Sequence, residues 1–396
     1  MKIFTKIISL CLCAVLLLGM FSACNTANPE ETEVTVDETP IMTMGNYTIN
    51  KSMYQYLLAS FKTDIVTKFG FQDIEEDFWS FPIDDKTTLL DYFTDMVNQN
   101  IMTLIISQQL FEEAGLTFTQ DDEKAVEERY EEAVKAAGGE KALSESLKSF
   151  NLTLEGLREI YNWEQKIVSV YEYNFGENGA NLPTDEEKEE YYNSYYTRVK
   201  LLTINTDQKV KTDENGMTVF DEEKGGALKV DLTAEERQAK LELAAEIEEK
   251  LDSGTKFDAL MSEYNEDKFG EMTFADGYYL EINVAAMYPQ ESIEPIFDMK
   301  PDEFIEVAEA AKATAVGDVE LLDLSENYGK IYFLKRYALI DGAYKEEMNY
   351  PFFAVLDDVI CSLKSVDLYK PYQSEITFDT EAVSDLKLNT CPDINY

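Results

Sequence analysis

The sequence predicts an α+β fold in which a mostly helical part comes first and a small antiparallel sheet flanked by helices comes second. Two observations support this prediction. Apolar residues recur every three or four positions from about residue 86 to residue 175, which is the period of a helix. Near Tyr196 the pattern changes to alternation, which indicates strands. Because 396 residues exceed one ordinary hydrophobic core, we expect two or three structural units.

The first part contains recognisable start signals for its elements. Residues 40–49 predict a strand, a turn and a second strand. Asn50 or Ser52 can cap the helix that follows, since both side chains accept hydrogen bonds from free backbone N–H groups. Thr119 is the predicted cap of a later helix, and Thr184 opens a capping box with Glu187. These helices are predicted to form a core.

The second part begins with a predicted strand over residues 199–205. Asn215-Gly216 predicts the turn of a hairpin-like insertion. A long amphipathic helix is predicted from the Thr233 cap to Gly254, and a short one ends near Tyr264. The remaining expectations are strands at 272–282, 303–307, 317–324 and 329–340, a helix at 346–369 and an extended piece at 374–388.

Composition excludes several classes of function. The chain has 78 acidic and 34 basic residues, a net charge of −44, which argues against nucleic acid as a partner and against adsorption to anionic lipid. It contains no histidine, so mechanisms that need an imidazole base or ligand are ruled out. With 45% hydrophobic residues it can still bury a core. No cofactor or ATP site is apparent.

Residues 1–23 have the basic start and apolar run of a secretory leader, and the run is too short for an ordinary membrane-spanning helix. The end Phe21-Ser22-Ala23-Cys24 resembles a lipoprotein signal peptide. That resemblance implies cleavage before Cys24 and a lipid on its thiol, which would anchor the chain to the outer face of a bacterial cell membrane. An ordinary signal peptide or an uncleaved anchor is the alternative. The polar residues 24–39 predict a flexible tether.

Two cysteines remain beyond the leader and Cys24, namely Cys361 and Cys391. Outside the cell a disulfide between them can form, but they can equally stay reduced. The sequence has no CxxC pair or Cys/His cluster, so we expect no structural zinc and no other metal site.

The order of these parts resembles the PrsA/SurA group of extracytoplasmic foldases over roughly residues 40–390. A specific local match is the run Ala245–Asp267, with the leucine, glycine and phenylalanine spacing of parvulin-type peptidyl-prolyl isomerases. The resemblance implies three parts, which are a SurA-N-like helical chaperone domain at 40–196, a divergent parvulin-like domain at 197–340, and a C-terminal helix and tail at 341–396 that return to and complete the first domain.

The resemblance also implies site residues. The family's two histidines fall at Lys200-Leu201-Leu202 and at Gly329-Lys330-Ile331, so both are absent, while Asp267 falls at its Cys/Asp position and is the candidate catalytic group. The candidate substrate-binding residues are Met287, Tyr288, Tyr279 and Phe297. The alternatives are a capping or solvated role for Asp267, ordinary packing for Met287 and Tyr288, a position for Phe297 that in the family is more core than pocket, and solvated strand positions for Lys200 and Lys330.

Three functions follow from this pattern. The favoured one is a membrane-anchored chaperone that binds unfolded or translocating secreted polypeptides, in a groove expected between its two domains, and keeps the parvulin-like domain without its histidine chemistry. The second is an isomerase that works through a histidine-free pocket, by geometry and desolvation alone. The third is a solute- or peptide-binding surface lipoprotein. Whether the protein dimerises through its predicted helical domain is left open by the sequence.

Overall fold

The computed structural model describes residues 35–68, 76–84, 86–215, 217–219, 227–287, 290–345, 350–394 and 396. It is an α+β structure with small antiparallel sheets, which confirms the predicted fold class. The strands are β1 Pro40–Met44, β2 Tyr47–Asn50, β3 Thr197–Asn205, β4 Gln208–Val210, β5 Lys229–Asp231, β6 Tyr278–Leu280, β7 Val319–Leu324, β8 Lys330–Tyr337 and β9 Thr377–Phe378. The helices are α1 Lys51–Lys68, α2 Glu76–Trp79, α3 Leu89–Glu113, α4 Gln120–Ala136, α5 Glu140–Leu147, α6 Leu154–Phe175, α7 Asp185–Tyr195, α8 Ala234–Asp252, α9 Phe257–Tyr264, α10 Lys268–Thr273, α11 Ile282–Met287, α12 Gln290–Phe297, α13 Pro301–Ala313 and α14 Leu356–Gln373.

The described residues form two compact units. Unit 1 combines the chain up to Leu182 with Cys361–Tyr396, and unit 2 is Pro183–Ile360. This division differs from the predicted one at 196/197, because Tyr192 of α7 packs among aromatic residues of unit 2 such as Tyr279 and Phe353. The predicted functional assignment of each domain stays a prediction.

Unit 1 is helical around a three-stranded sheet. The sheet has the order β2-β1-β9, so strands from both ends of the chain pair with each other. Helices α3 and α6 pack against each other, and their buried faces carry the predicted period, including Phe93, Val97 and Ile101. The Tyr56 hydroxyl lies 2.8 Å from that of Tyr396, which ties the last residue of the sequence to α1.

Unit 2 is built on a four-stranded antiparallel sheet of order β6-β3-β8-β7. Capping boxes at Thr184 and Thr233 start α7 and α8 as predicted. The insertion between β3 and α8 contains the short pair β4–β5 and, nearer its tip, a bridge between Thr212 and Thr218 that matches the predicted hairpin.

Four predicted elements were wrong or too long. Residues 303–307 lie in α13 rather than in a strand, because Pro301 and the Lys300–Glu303 capping contact start a helix. The strand expected at 272–282 is reduced to β6, since Asp267 caps α10 just before it. The helix expected from 346 begins at Leu356, after a 3₁₀ turn at Pro351–Val355. The extended piece at 374–388 contains only β9.

Candidate functional site

The sheet of unit 2 has two differently covered faces. One face carries Leu202, Ile204, Ile331 and Phe333, which pack against α8 and α9. The opposite face carries Val199, Leu201, Tyr332 and Leu334, which pack with α11, α12, α13 and the 3₁₀ turn at 351–355. Alternate residues of β3 and β8 therefore reach separate cores, as expected for strands buried on both sides.

An aromatic cluster fills the second face. Tyr279 packs against the rings of Tyr350 and Phe353 with centroids 5.4 and 5.1 Å apart. Phe297 stacks on Phe274 at 5.4 Å and also contacts Phe352 at 4.9 Å. Tyr279 and Phe297, two of the predicted substrate-binding residues, are buried because residues 350–353 of the same chain cover them. A peptide would reach these rings only if that segment moved, and their role in binding stays a prediction.

Asp267, the candidate catalytic residue, is the N-cap of α10. Its Oδ1 accepts a 2.8 Å hydrogen bond from the Gly270 N–H, and its Oδ2 accepts a 2.8 Å bond from the hydroxyl of buried Tyr278. Burial and the charge of Asp267 raise the pKa of Tyr278, so this phenol remains a donor. The arrangement corresponds to the helix-capping alternative, and a catalytic role for Asp267 stays a prediction.

The loop before Asp267 is held against β3 by two side chains that accept hydrogen bonds from backbone N–H groups of that strand. The buried Asn265 accepts from the Thr203 N–H at 2.9 Å and donates to the Asp267 carbonyl at 3.0 Å. Glu266 accepts from the Asn205 N–H at 2.8 Å and forms an ion pair with Lys240. The position of α10 relative to the sheet is therefore fixed by hydrogen bonds on both sides of the loop.

Helix α10 presents an apolar pair to solvent. Phe269 is 60% exposed and Met272 is 75% exposed, and a spacing of three residues puts them on the same side of a helix. Gly270 between them is buried, and a Cβ there would lie 1.9 Å from the Tyr278 hydroxyl. We call Phe269 and Met272 the α10 pair.

The two lysines at the family's histidine positions have different surroundings. Lys200 is half-buried on β3, with its ammonium 6.0 Å from the centre of the Tyr337 ring. Lys330 is not a solvated strand lysine, because its side chain is only 12% exposed and pairs with Asp298 and, at 3.4 Å, with Glu303. Glu303 also accepts a 2.6 Å hydrogen bond from the buried Tyr332 hydroxyl.

A second buried carboxylate lies beside a small cavity next to β6. The cavity has a volume of about 180 Å³, and its lining includes Glu281, Asn283 and Lys312. Glu281 accepts from the Val284 N–H at 2.6 Å and from the Asn283 amide at 3.1 Å. Burial raises the pKa of this carboxyl above its usual value.

The other predicted residues are dispersed. Met287 ends α11 and is partly buried against the aromatic core, while Tyr288 and Cys24 lie outside the described residues. Cys361 and Cys391 are present as thiols, so the disulfide is absent from the structure. The Cys391 Sγ instead donates to the Leu388 carbonyl at 3.1 Å, and burial raises the pKa of this thiol to about 11, which lowers its reactivity.

Sequence reasoning missed Asn265, Gly270, Tyr278 and the α10 pair. The spacing of Asp267 and Gly270 is that of an N-cap and its N3 residue, and Phe269 and Met272 interrupt a polar stretch. These two signals could have identified α10. Among the described residues no helix is long and apolar enough to cross a bilayer, and no three His, Cys, Asp or Glu side chains are grouped as a metal site would require.

Comparisons with known proteins give only remote likenesses. No protein-family model matches the chain, and no curated protein matches it significantly. The crystal structure of PrsA from Bacillus subtilis covers 78% of this chain and 98% of its own, with 16% identity and a TM-score of 0.20. That of the peptidylprolyl isomerase PrsA from Bacillus anthracis covers 71% and 98%, with 16% identity and a TM-score of 0.25. Scores this low carry no argument about function.

Proposed function

We propose that this protein is an extracytoplasmic, membrane-anchored chaperone of the foldase type, which binds unfolded secreted polypeptides. The observation that carries the proposal is the α10 pair. Single exposed apolar side chains are ordinary, but neighbouring ones that form one patch are a feature of interaction sites, and methionine adapts to partners of different shape. Asp267, Asn265 and Tyr278 hold the pair in place, so its exposure is built into the fold.

Electrostatics support the choice of client. Residues 263–276 around the α10 pair contain the acidic residues Glu263, Glu266, Asp267, Glu271 and Asp276 and one basic residue, Lys268, and the whole chain has a net charge of −44. This charge keeps a chaperone–client complex soluble and favours basic or neutral clients. We expect client binding to weaken as salt rises, and equal affinity for acidic and basic clients would contradict this.

The test measures suppression of aggregation with the chain from residue 25 onward, which keeps every described residue. A basic client is diluted from denaturant, and aggregation is followed by light scattering. We expect the double variant Phe269→Ser/Met272→Ser to lose most of the suppression. The matched control is Phe81→Ser/Met217→Ser, which removes a phenylalanine and a methionine of similar exposure elsewhere and should behave as the parent.

The same preparation separates the alternatives. Acceleration of prolyl isomerisation in a short X–Pro peptide that falls on replacing Asp267, Met287 or Tyr288 would identify an isomerase with a histidine-free pocket. Suppression of aggregation without acceleration would support the chaperone alone. Failure in both assays would overturn the proposal and favour a solute-binding lipoprotein. Equal suppression by the Phe269→Ser/Met272→Ser variant and the parent would remove the α10 pair as the binding surface.

Membrane anchoring through Cys24 is the second part of the proposal. The lipoprotein-like end of the leader supports it. The mature N-terminal peptide from a bacterial host should carry a diacylglyceryl mass on Cys24, and Cys24→Ser should appear in the medium or as uncleaved precursor. An unmodified mature N-terminus at another residue would contradict anchoring.

A further inference from the structure

The strand β7 forms an open edge of the unit 2 sheet. Within the described residues its one strand neighbour is β8, which it pairs with over all six of its residues. At the opposite edge all three residues of β6 are buried, whereas Glu320, Leu321 and Asp323 of β7 are exposed. An exposed edge offers backbone donors and acceptors to an added strand.

The face beside this edge is incompletely covered. Leu321 of β7 is paired with Phe333 of β8, and both side chains point to the same face of the sheet. Phe333 is 1% exposed, but Leu321 is 37% exposed, and Val316 just before the strand is 59% exposed. Phe333 is covered by α8 and α9, whereas an additional strand beside β7 would place alternate side chains next to Leu321 on this face.

The negative charge along the β7 edge favours a basic partner. Asp318, Glu320 and Asp323 are exposed along it, and no basic residue lies between positions 317 and 329. Two basic residues of β8 lie near the start of β7, but Lys335 lies over the rings of Phe257 and Tyr337, and the Arg336 guanidinium donates to the carbonyls of Lys312 and Thr314. Pairing with a second copy of this chain would oppose two acidic edges, which is unfavourable.

We infer that β7 captures an extended, lysine- or arginine-bearing segment of an unfolded polypeptide by adding it to the sheet as a fifth strand. Backbone hydrogen bonds would supply affinity for many sequences, while the acids would select basic segments. The inference rests on the proposed function for the nature of its occupant, but it uses a surface other than the α10 pair. It adds a mode of recognition that depends on the client's backbone.

The experiment uses the chain from residue 25 onward and a labelled nine-residue peptide that alternates lysine and valine. Two further peptides carry N-methyl groups on alternate residues, one on the odd and one on the even positions. Strand addition uses one edge of the peptide, so we expect one methylated peptide to bind like the parent and the other to lose at least tenfold in affinity. Equal binding of both would overturn the inference.

Charge reversal supplies the second readout. Glu320→Lys/Asp323→Lys should lower the affinity for the lysine peptide by about tenfold and raise the affinity for a peptide that alternates glutamate and valine. Glu248→Lys/Glu249→Lys on α8 changes the net charge equally and should alter neither preference. Amide hydrogen exchange of residues 319–324 should slow when the lysine peptide is bound, and unchanged exchange would contradict strand addition. If the parent suppresses aggregation but does not bind the lysine peptide, this inference alone is refuted. If the parent binds the peptide but does not suppress aggregation, the proposed chaperone function is refuted and strand addition is not.

Discussion

Replacing Gly270 by alanine tests the arrangement around α10, because the sign of its effect on stability differs between two expectations. Gly270 has ordinary helical backbone and lies within the helix, so helix propensity alone predicts that alanine stabilises by about 1 kcal/mol. The structure predicts the opposite. An added Cβ would lie 1.9 Å from the Tyr278 hydroxyl and 2.0 Å from the Asp267 Oδ2, so the hydrogen bond between these two groups cannot persist.

The magnitude follows from the bonds that must break. Loss of the Asp267 cap costs about 1 kcal/mol. A buried Tyr278 hydroxyl left without its carboxylate acceptor costs about 1–3 kcal/mol. After subtracting the gain in helix propensity, we expect Gly270→Ala to destabilise unit 2 by about 1–3 kcal/mol.

Urea unfolding of the chain from residue 25 onward measures this effect. Both tryptophans, Trp79 and Trp163, lie in unit 1, so amide exchange of β3 and β6 peptides should report unit 2, with tryptophan fluorescence as the reference for unit 1. Adding Tyr278→Phe removes the hydroxyl, so the double variant with Gly270→Ala should be at least 1 kcal/mol more stable than the sum of the two single effects predicts. A stabilising Gly270→Ala, or strict additivity of the pair, would refute the reasoning.

Three further substitutions test other polar contacts by urea unfolding followed in the same way. Asn265→Ala leaves the Thr203 N–H of β3 without its acceptor and should lower the free energy of unfolding by about 2 kcal/mol. An unchanged urea midpoint would show that this hydrogen bond does not stabilise the loop. Lys330→Met leaves the buried Glu303 without its cation and should cost about 3 kcal/mol, with much of the loss recovered when Glu303→Gln is added; no recovery would contradict this pairing. Glu281 has a raised pKa in the folded protein, so its charged form disfavours folding. Relative to Glu281→Gln, the parent should lose stability as pH rises from about 4.5 through the folded pKa and then level off, and parallel pH profiles would contradict the shift.

The helix starts were predictable because capping is local chemistry. Thr119, Thr184 and Thr233 each lie three residues before an acidic partner, and all three form the expected capping boxes. The wrong strand at 303–307 has a local origin too, since Pro301 favours the first position of a helix and the short apolar run that follows it is compatible with a helix as well as a strand.

The candidate site was less predictable because burial depends on distant parts of the chain. The resemblance predicts Tyr279 and Phe297 as substrate-binding residues, but the side chains that cover them, Tyr350, Phe352 and Phe353, come from a segment more than 50 residues away. No periodicity within 272–297 contains that information. The environment of Lys330 likewise depends on Glu303, which lies in a helix predicted to be a strand.

The pairing of β1 with β9 has a consequence for the order in which the chain matures. Unit 2 is one continuous stretch, so all of its contacts become available once residue 360 has emerged, whereas the sheet of unit 1 lacks its third strand until residues 377–378 arrive. In a chain threaded through a pore from its N-terminus, the segment that emerges first would complete its fold last. Deletion of residues 377–396 would therefore destabilise unit 1, which contains β1 and β2, while leaving unit 2 intact.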